Sequence, residues 1–318
     1  MKSFTIRKND SGTRLDRFVA KAVPLLPPSL AQKYIRLKRI KVNGKGAKRD
    51  DRLCENDSVE MYINDEFFET PSEDNAYLKI VNPGLDIVFE DDNIMLLNKP
   101  AGVLCHSAGG FDYATLIARV QAYLFKNGEW NPRVENSFSP ALCNRIDRNT
   151  SGIVIAAKNA ETLRIINEKI KLREIDKYYL AIVVGAPPES RGTLEGWLFK
   201  DAVKNQVYVS ERQKQGSNFA STEYKTVNKK DKLTLLECRL LTGRTHQIRA
   251  QLAHSGCPIL GDGKYGSERV NRTYGAAHQL LCSYRLKFTF KTDAGALEYL
   301  RYRDFALNNI DFVAKYFG

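Results

Sequence analysis

A chain of 318 residues is longer than most single domains, so two domains are expected, and 43% hydrophobic content supplies at least one sizeable core. Lys and Arg outnumber Asp and Glu by 49 to 37, a formal charge of +12 that fits a protein meeting a polyanion, nucleic acid first. No 18-residue apolar run offers a membrane span, MKSFTIRKND is no signal peptide, and six cysteines without a CxxC pair argue against a disulfide framework or structural zinc, so the expected compartment is the cytoplasm.

In LDRFVAKAV the apolar residues Leu15, Phe18, Val19 and Val23 fall on one face of a short amphipathic helix. PSLAQKYIRLK reads as a second helix opening at Pro28, followed by a short strand and turn in IKVNGKG, and by a closing strand through Val59, Met61 and Ile63. Between Ser29 and Arg49 stand eight basic residues and no acid: Lys33, Arg36, Lys38, Arg39, Lys41, Lys45, Lys48 and Arg49. A solvated helix face normally mixes signs, and this one does not, so it suits a phosphate backbone. The sign then inverts in NDEFFETPSED, as in a linker. The expected division is an RNA-binding module over 1–63, a linker over 64–83 and a larger domain over 84–318. Architecturally the first module resembles the alpha-L RNA-binding motif.

Past residue 84 the pattern is mostly β. DIVFEDDNIMLLNKP gives two strands about a turn, and IVIAA, YYLAIVV, LTLLECRLL and RLKFTFK are further strands. The clear helices are AETLRIINEKIKL, capped by Asn159, and THQIRAQLAH. The fold class is α+β with a mostly antiparallel sheet, preceded by the small α+β module.

Two stretches carry candidate chemistry. NRIDRNTSG (144–152) sets Asp147 between Arg145 and Arg148, where neighbouring cations favour an ionised carboxylate able to act as a nucleophile. LLTGRTHQIRAQLAH places Arg244, His246, Gln247 and Arg249 at a helix start, where side chains and free N–H groups hold anions. His246 and His254 lack metal-ligand spacing, Asp262 in GCPILGDGKYG stands where a phosphate loop needs Lys, and no Rossmann-type GxGxxG joins a strand to a helix, so neither metal nor nucleotide cofactor is expected. A glycosidase would need a second carboxylate near Asp147, and the motif supplies Arg instead.

Together these stretches resemble the RluA-type RNA pseudouridine synthases. NKPAGVLCH (98–106), NRIDRNTSG, KYYLA (177–181), TGRTHQIRAQLAHSGCPILGDGKYG (242–266) and the RLKFTF region follow in the family's order. The resemblance implies an enzyme that isomerises uridine in RNA without a cofactor. It makes Asp147 the catalytic carboxylate, Tyr179 (not Tyr178) the active-site tyrosine, and Arg249 the partner of Asp147. RNA contacts are expected from Lys99, Asn144, Arg145, Arg148, Arg244, His246 and Gln247, and from Lys33, Arg36, Lys38, Arg39 and Lys41 in the first module. Asn144 departs from the family's usual His, which touches RNA contacts rather than the nucleophile. Ribosomal RNA is the favoured partner over transfer RNA, on a monomer. The rival from another class is a non-catalytic RNA-binding or ribosome-assembly factor on the same fold.

Overall fold

The structure is a computed structural model that describes all residues except 25, 64, 69–79, 108–114, 133–134, 136 and 202. The expected linker therefore falls largely outside the described residues. Strand β1 (Lys2–Thr5), helices α1 (Leu15–Ala22) and α2 (Pro28–Arg36), and strands β2 (Ile40–Val42), β3 (Lys45–Gly46) and β4 (Ser58–Met61) form one unit around a four-stranded sheet. The spacing of Leu15, Phe18 and Val19 puts all three on the buried face of α1, where they join Ile6, Ile40, Leu53, Val59 and Met61 in a separate core. Each such side chain contributes about 1.5–3 kcal/mol. Among the described residues, hydrogen bonds from this unit to the rest of the chain contribute about 1 kcal/mol each, and the unit's own core sets its shape. Those bonds run from Asn9 to Glu135 and the Ala160 N–H, and between Asp10 and Ser137.

The rest of the chain builds an 11-stranded sheet. It begins with β5 (Ile87–Glu90) and β6 (Ile94–Lys99), passes through α3 (Leu116–Lys126) and β7 (Ala141–Leu142), and continues with β8 (Ser151–Ala157), α4 (Ala160–Lys171) and β9 (Ile175–Val184). Next come four antiparallel strands, β10 (Arg191–Asp201), β11 (Gln206–Ser210), β12 (Asn218–Lys230) and β13 (Leu233–Leu240), then α5 (Gln247–His254) and α6 (Glu268–Tyr274). The described elements close with β14 (Leu281–Phe288), β15 (Asp304–Ala306) and α7 (Asp311–Phe317).

The spatial order β11-β10-β12-β13-β9-β14-β8-β6-β5 is antiparallel throughout except where β14 runs parallel to β8. Around β6 and β8 both faces of the sheet are covered, which explains why IMLL and IVIAA are continuous apolar runs instead of alternating ones. Met95, Leu97, Val154 and Ala156 pack with α3, while Ile94, Leu96, Ile153 and Ile155 pack on the opposite face with Ile166 of α4 and with Leu297 and Leu300. The expected cap of α4 is formed: the Asn159 side chain accepts the Thr162 N–H at 2.9 Å.

The parallel contact fixes one glycine. Gly152 lies opposite Ser283 with φ +110°, and a Cβ there would sit 2.3 Å from the Ser283 carbonyl oxygen. Only glycine lets β8 and β14 approach this closely. That approach sets the start of β8, and with it the loop carrying Asp147, against the middle of the sheet.

Candidate active site around Asp147

The segment from Asn144 to Arg148 alternates. Asn144 and Ile146 point inward and Arg145 and Arg148 outward, with Asp147 half-buried between them. A main-chain clamp holds this segment: the Gly102 N–H donates to the Arg148 carbonyl at 2.9 Å, and Arg148 Nε returns to the Gly102 carbonyl at 3.0 Å. Lys99 locks the clamp from beneath. Its ammonium, fully buried, donates to the carbonyls of Pro100 (2.9 Å), Val103 (2.8 Å) and Arg148 (2.9 Å). Burial pushes that ammonium down to about 8, with the nearby Cys105 and Asp147 opposing.

Opposite the loop, α5 delivers Arg249. Its Nη1 donates to Asp147 Oδ2 at 2.7 Å, while Nε and Nη2 grip Asp262 at 2.7 and 3.0 Å. Asp262 has no solvent exposure, and its Oδ1 also accepts the N–H groups of Lys264 (2.9 Å) and Tyr265 (3.1 Å). Burial works against the Arg249 cation, but the two carboxylates outweigh it and hold the guanidinium firmly charged. Asp262 thus orients the arginine, and the arginine presents an Nη1 N–H to Asp147.

Tyr179 lies on β9 beside Ser283 of β14 and faces the core at 5% exposure. Burial pushes its phenol well above the ordinary value, a hydrogen bond with Ser283 opposes this, and the charge of Asp147 adds to it. Tyr178 faces the other side of the sheet, against the Arg285 guanidinium at 5.2 Å, as strand alternation requires.

The structure therefore brings together Asp147, Arg249, His246 and Tyr179, whose phenol feels the Asp147 charge, with Arg145, Arg148 and Arg244 exposed nearby on the same segments. Three residues read from the sequence as RNA contacts are instead internal. Lys99 spends its three donors on carbonyls. Asn144 is buried, its Oδ1 accepting the Ile155 N–H at 2.8 Å and its Nδ2 without a partner among the described residues. Gln247 is 3% exposed and bonds Ser221, Thr222, Thr242 and the Arg244 N–H. Apart from Asn144 Nδ2, their polar atoms are paired inside and serve the scaffold. Two residues of the site were not assigned from the sequence, Asp262 and Tyr265; neither has a local pattern that reveals burial.

In the first unit, Lys33, Arg36, Lys38, Lys48 and Arg49 line an open groove of about 630 Å³ between α2 and the segment 46–49 at the end of β3. Arg39 and Lys41 lie against the rings of Tyr34 (5.6 Å) and Tyr62 (5.1 Å). Among the described residues no group of His, Cys, Asp or Glu is arranged to hold a metal, and no helix is long and apolar enough to cross a membrane.

The model of the RNA pseudouridylate synthase family matches residues 93–254, and that of the S4 domain matches residues 13–59. An RNA pseudouridine synthase of Mycoplasma capricolum is 30% identical across 99% of this chain and 100% of its own length. The ribosomal large subunit pseudouridine synthase C of Vibrio vulnificus is 31% identical over 86% of this chain and 83% of its own. Among solved structures, human RNA pseudouridylate synthase domain containing 4 has the same fold, with a TM-score of 0.54 at 21% identity, covering 72% of this chain and 90% of that one. The family match spans the Asp147 loop and α5, the two segments that the Asp147–Arg249 bond joins; the chain belongs to the RNA pseudouridylate synthases and is an enzyme that isomerises uridine in RNA.

Proposed function

We propose that this enzyme acts on ribosomal RNA in the cytoplasm, that Asp147 is the reacting carboxylate, and that Tyr179 and Arg249 complete its centre. The observation that carries the reading is the Arg249 bridge, 2.7 Å from both Asp147 and Asp262, which holds an anion aimed from a half-open position. The name of the Vibrio vulnificus relative favours ribosomal RNA.

The reaction breaks the N1–C1′ bond of a uridine extruded from its stack, turns the base, and joins C5 to C1′; the C5 proton leaves and N1 gains one, so nothing is consumed. Asp147 either attacks the sugar or takes a sugar proton, and both routes need its anion. Tyr179, neutral and buried, supplies a ring against which the uracil packs; a phenol raised this far is a poor base in the resting enzyme. Tritium release from RNA carrying tritium at C5 of uridine tests the proposal. Release from ribosomal RNA in excess of transfer RNA is expected. Release confined to transfer RNA would move the substrate, and release from neither would favour the assembly-factor alternative.

We also propose that residues 1–63 anchor RNA and that residues 84–318 carry the chemistry. Each Lys or Arg on phosphate adds about 0.7–0.9 to the slope of log affinity against log salt. The triple variant Lys33→Ala/Arg36→Ala/Lys38→Ala should therefore lower that slope by about 2–3, raise the RNA concentration needed, and leave the rate on saturating RNA unchanged. An unchanged slope would remove the groove from the RNA path.

A further inference from the structure

We infer that His246, fixed by Tyr265 as the tautomer bearing its proton on Nε2, is a positioning residue for Asp147 and not an RNA contact. His246 is the N-cap residue, immediately before α5, in a left-handed conformation, φ 53° and ψ 19°, and its side chain makes no capping bond. A non-glycine residue there costs about 1–2 kcal/mol, and Gly or Asn would take the position more easily. What the strained backbone achieves is the direction of the imidazole. Nδ1 lies 2.9 Å from the Tyr265 hydroxyl, and Nε2 lies 3.8 Å from Asp147 Oδ2.

The proton's place follows from the third partner. The Tyr265 oxygen already accepts the Val207 N–H at 2.8 Å, so its own proton is the one it gives to Nδ1. A neutral imidazole accepting at Nδ1 carries its hydrogen on Nε2, the nitrogen that faces Asp147. Tyr265 is tied to the other side of the same centre: its ring lies 5.2 Å from the Arg249 guanidinium and its N–H bonds Asp262. Both contacts to Asp147, from Arg249 Nη1 and His246 Nε2, fall on Oδ2, leaving Oδ1 as the oxygen presented to the nucleotide. The 3.8 Å gap is one that closes when RNA binds, as catalytic hydrogen bonds commonly tighten in the complex.

The charges of Asp147, Arg249, Lys264 and Asp262 act on the imidazole. Burial lowers its pKa, Arg249 and Lys264 act in the same sense, and Asp147 and Asp262 oppose them. Neutral His246 therefore persists below its ordinary range. Protonating Nδ1 would set it against the Tyr265 O–H donor and break the alignment.

This inference rests on Asp147 being the reacting carboxylate, so the test carries Asp147→Asn as a control. Single-turnover tritium release is measured against pH for the full-length wild type, Tyr265→Phe, His246→Ala and His246→Gln. Tyr265→Phe keeps the ring beside Arg249 but removes the donor to Nδ1. Its rate at neutral pH should fall between about 10- and 100-fold with RNA affinity unchanged, and its acid limb should move to higher pH, because the neutral imidazole loses a stabilising bond. His246→Ala should lose at least as much, and the amide N–H of His246→Gln should restore part of it. A Tyr265→Phe profile superimposable on the wild type overturns the inference. So do His246 variants that lose RNA affinity with an unmoved acid limb, the mark of an RNA contact. Activity surviving in Asp147→Asn would instead overturn the reading of Asp147 on which this one stands.

Discussion

Asp147→Asn should abolish tritium release, by about 10³-fold or more, while leaving the fold and RNA binding in place. The amide keeps the size of the carboxylate and can still accept the Arg249 Nη1 hydrogen, so what disappears is the charge and the nucleophilic or basic lone pair. Stability should survive because Arg249 is not orphaned. Two of its three bonds go to Asp262, which remains buried and ionised beside it. The expected cost is about 1 kcal/mol, that of a weakened hydrogen bond. Binding of RNA by the variant at wild-type affinity, with the initial rate of tritium release lost, is the outcome that fits; release at a tenth of the wild-type rate would transfer the chemistry to another group. The same variant separates the enzyme from the assembly-factor alternative, since a binding function would be indifferent to it.

How much of this was legible in the sequence depends on what each residue has for neighbours. Helices α1, α2, α4 and α5 and strands β6, β8, β9 and β13 announce themselves because one local pattern decides their burial. Helix α3, LIARVQAYLFK, was not singled out: it is packed against the loops around Cys105 and Trp130 as well as the sheet, and it shows no clean apolar stripe. Strands β10 and β12, of 11 and 13 residues, are so rich in polar and charged side chains that only their pairing in the sheet identifies them. The site divides in the same way. Asp147, Tyr179 and Arg249 were named from motifs, and the Asp147–Arg249 bond joins residues 102 apart in the chain. Lys99 and Gln247 looked like RNA contacts because a sequence gives polarity without depth; only the fold shows their donors turned onto backbone carbonyls and buried hydroxyls. Asp262 is the converse case. In the sequence it merely excludes a phosphate loop, whereas in the structure it is the buried anchor that makes Arg249 a directed donor.

Removing the carboxylate of Glu174 should destabilise the protein by about 3–5 kcal/mol, through a buried ion pair remote from Asp147 in sequence. Lys169, at the end of α4, is 1% exposed, and Glu174, one residue before β9, is 3% exposed. The ammonium donates to Glu174 Oε2 at 3.0 Å, to the Thr292 carbonyl at 2.9 Å and to Thr292 Oγ1 at 2.5 Å, so its three protons are used. Glu174→Ala leaves that ammonium buried beside Phe290 without its counter-charge. Replacing both partners by Met and Leu should recover most of the loss, because the pair's attraction is largely spent on its own desolvation. The pH dependence supplies a second check. Burial raises the Glu174 carboxyl, but its bonds with Lys169 and with the backbone of Lys291 and Thr292 outweigh that and bring it to about 2, below the ordinary 4.5 of the unfolded chain. A lowered folded value means that the contribution is complete above the unfolded value and is lost as pH falls through the folded one. The stability gap between wild type and Glu174→Ala, measured by denaturant unfolding, should therefore be full at pH 7, begin to close below about 4.5 and be smallest near 2. A gap that stays constant across that window would show that the loss comes from packing and not from the charge pair that fixes the start of the strand carrying Tyr179.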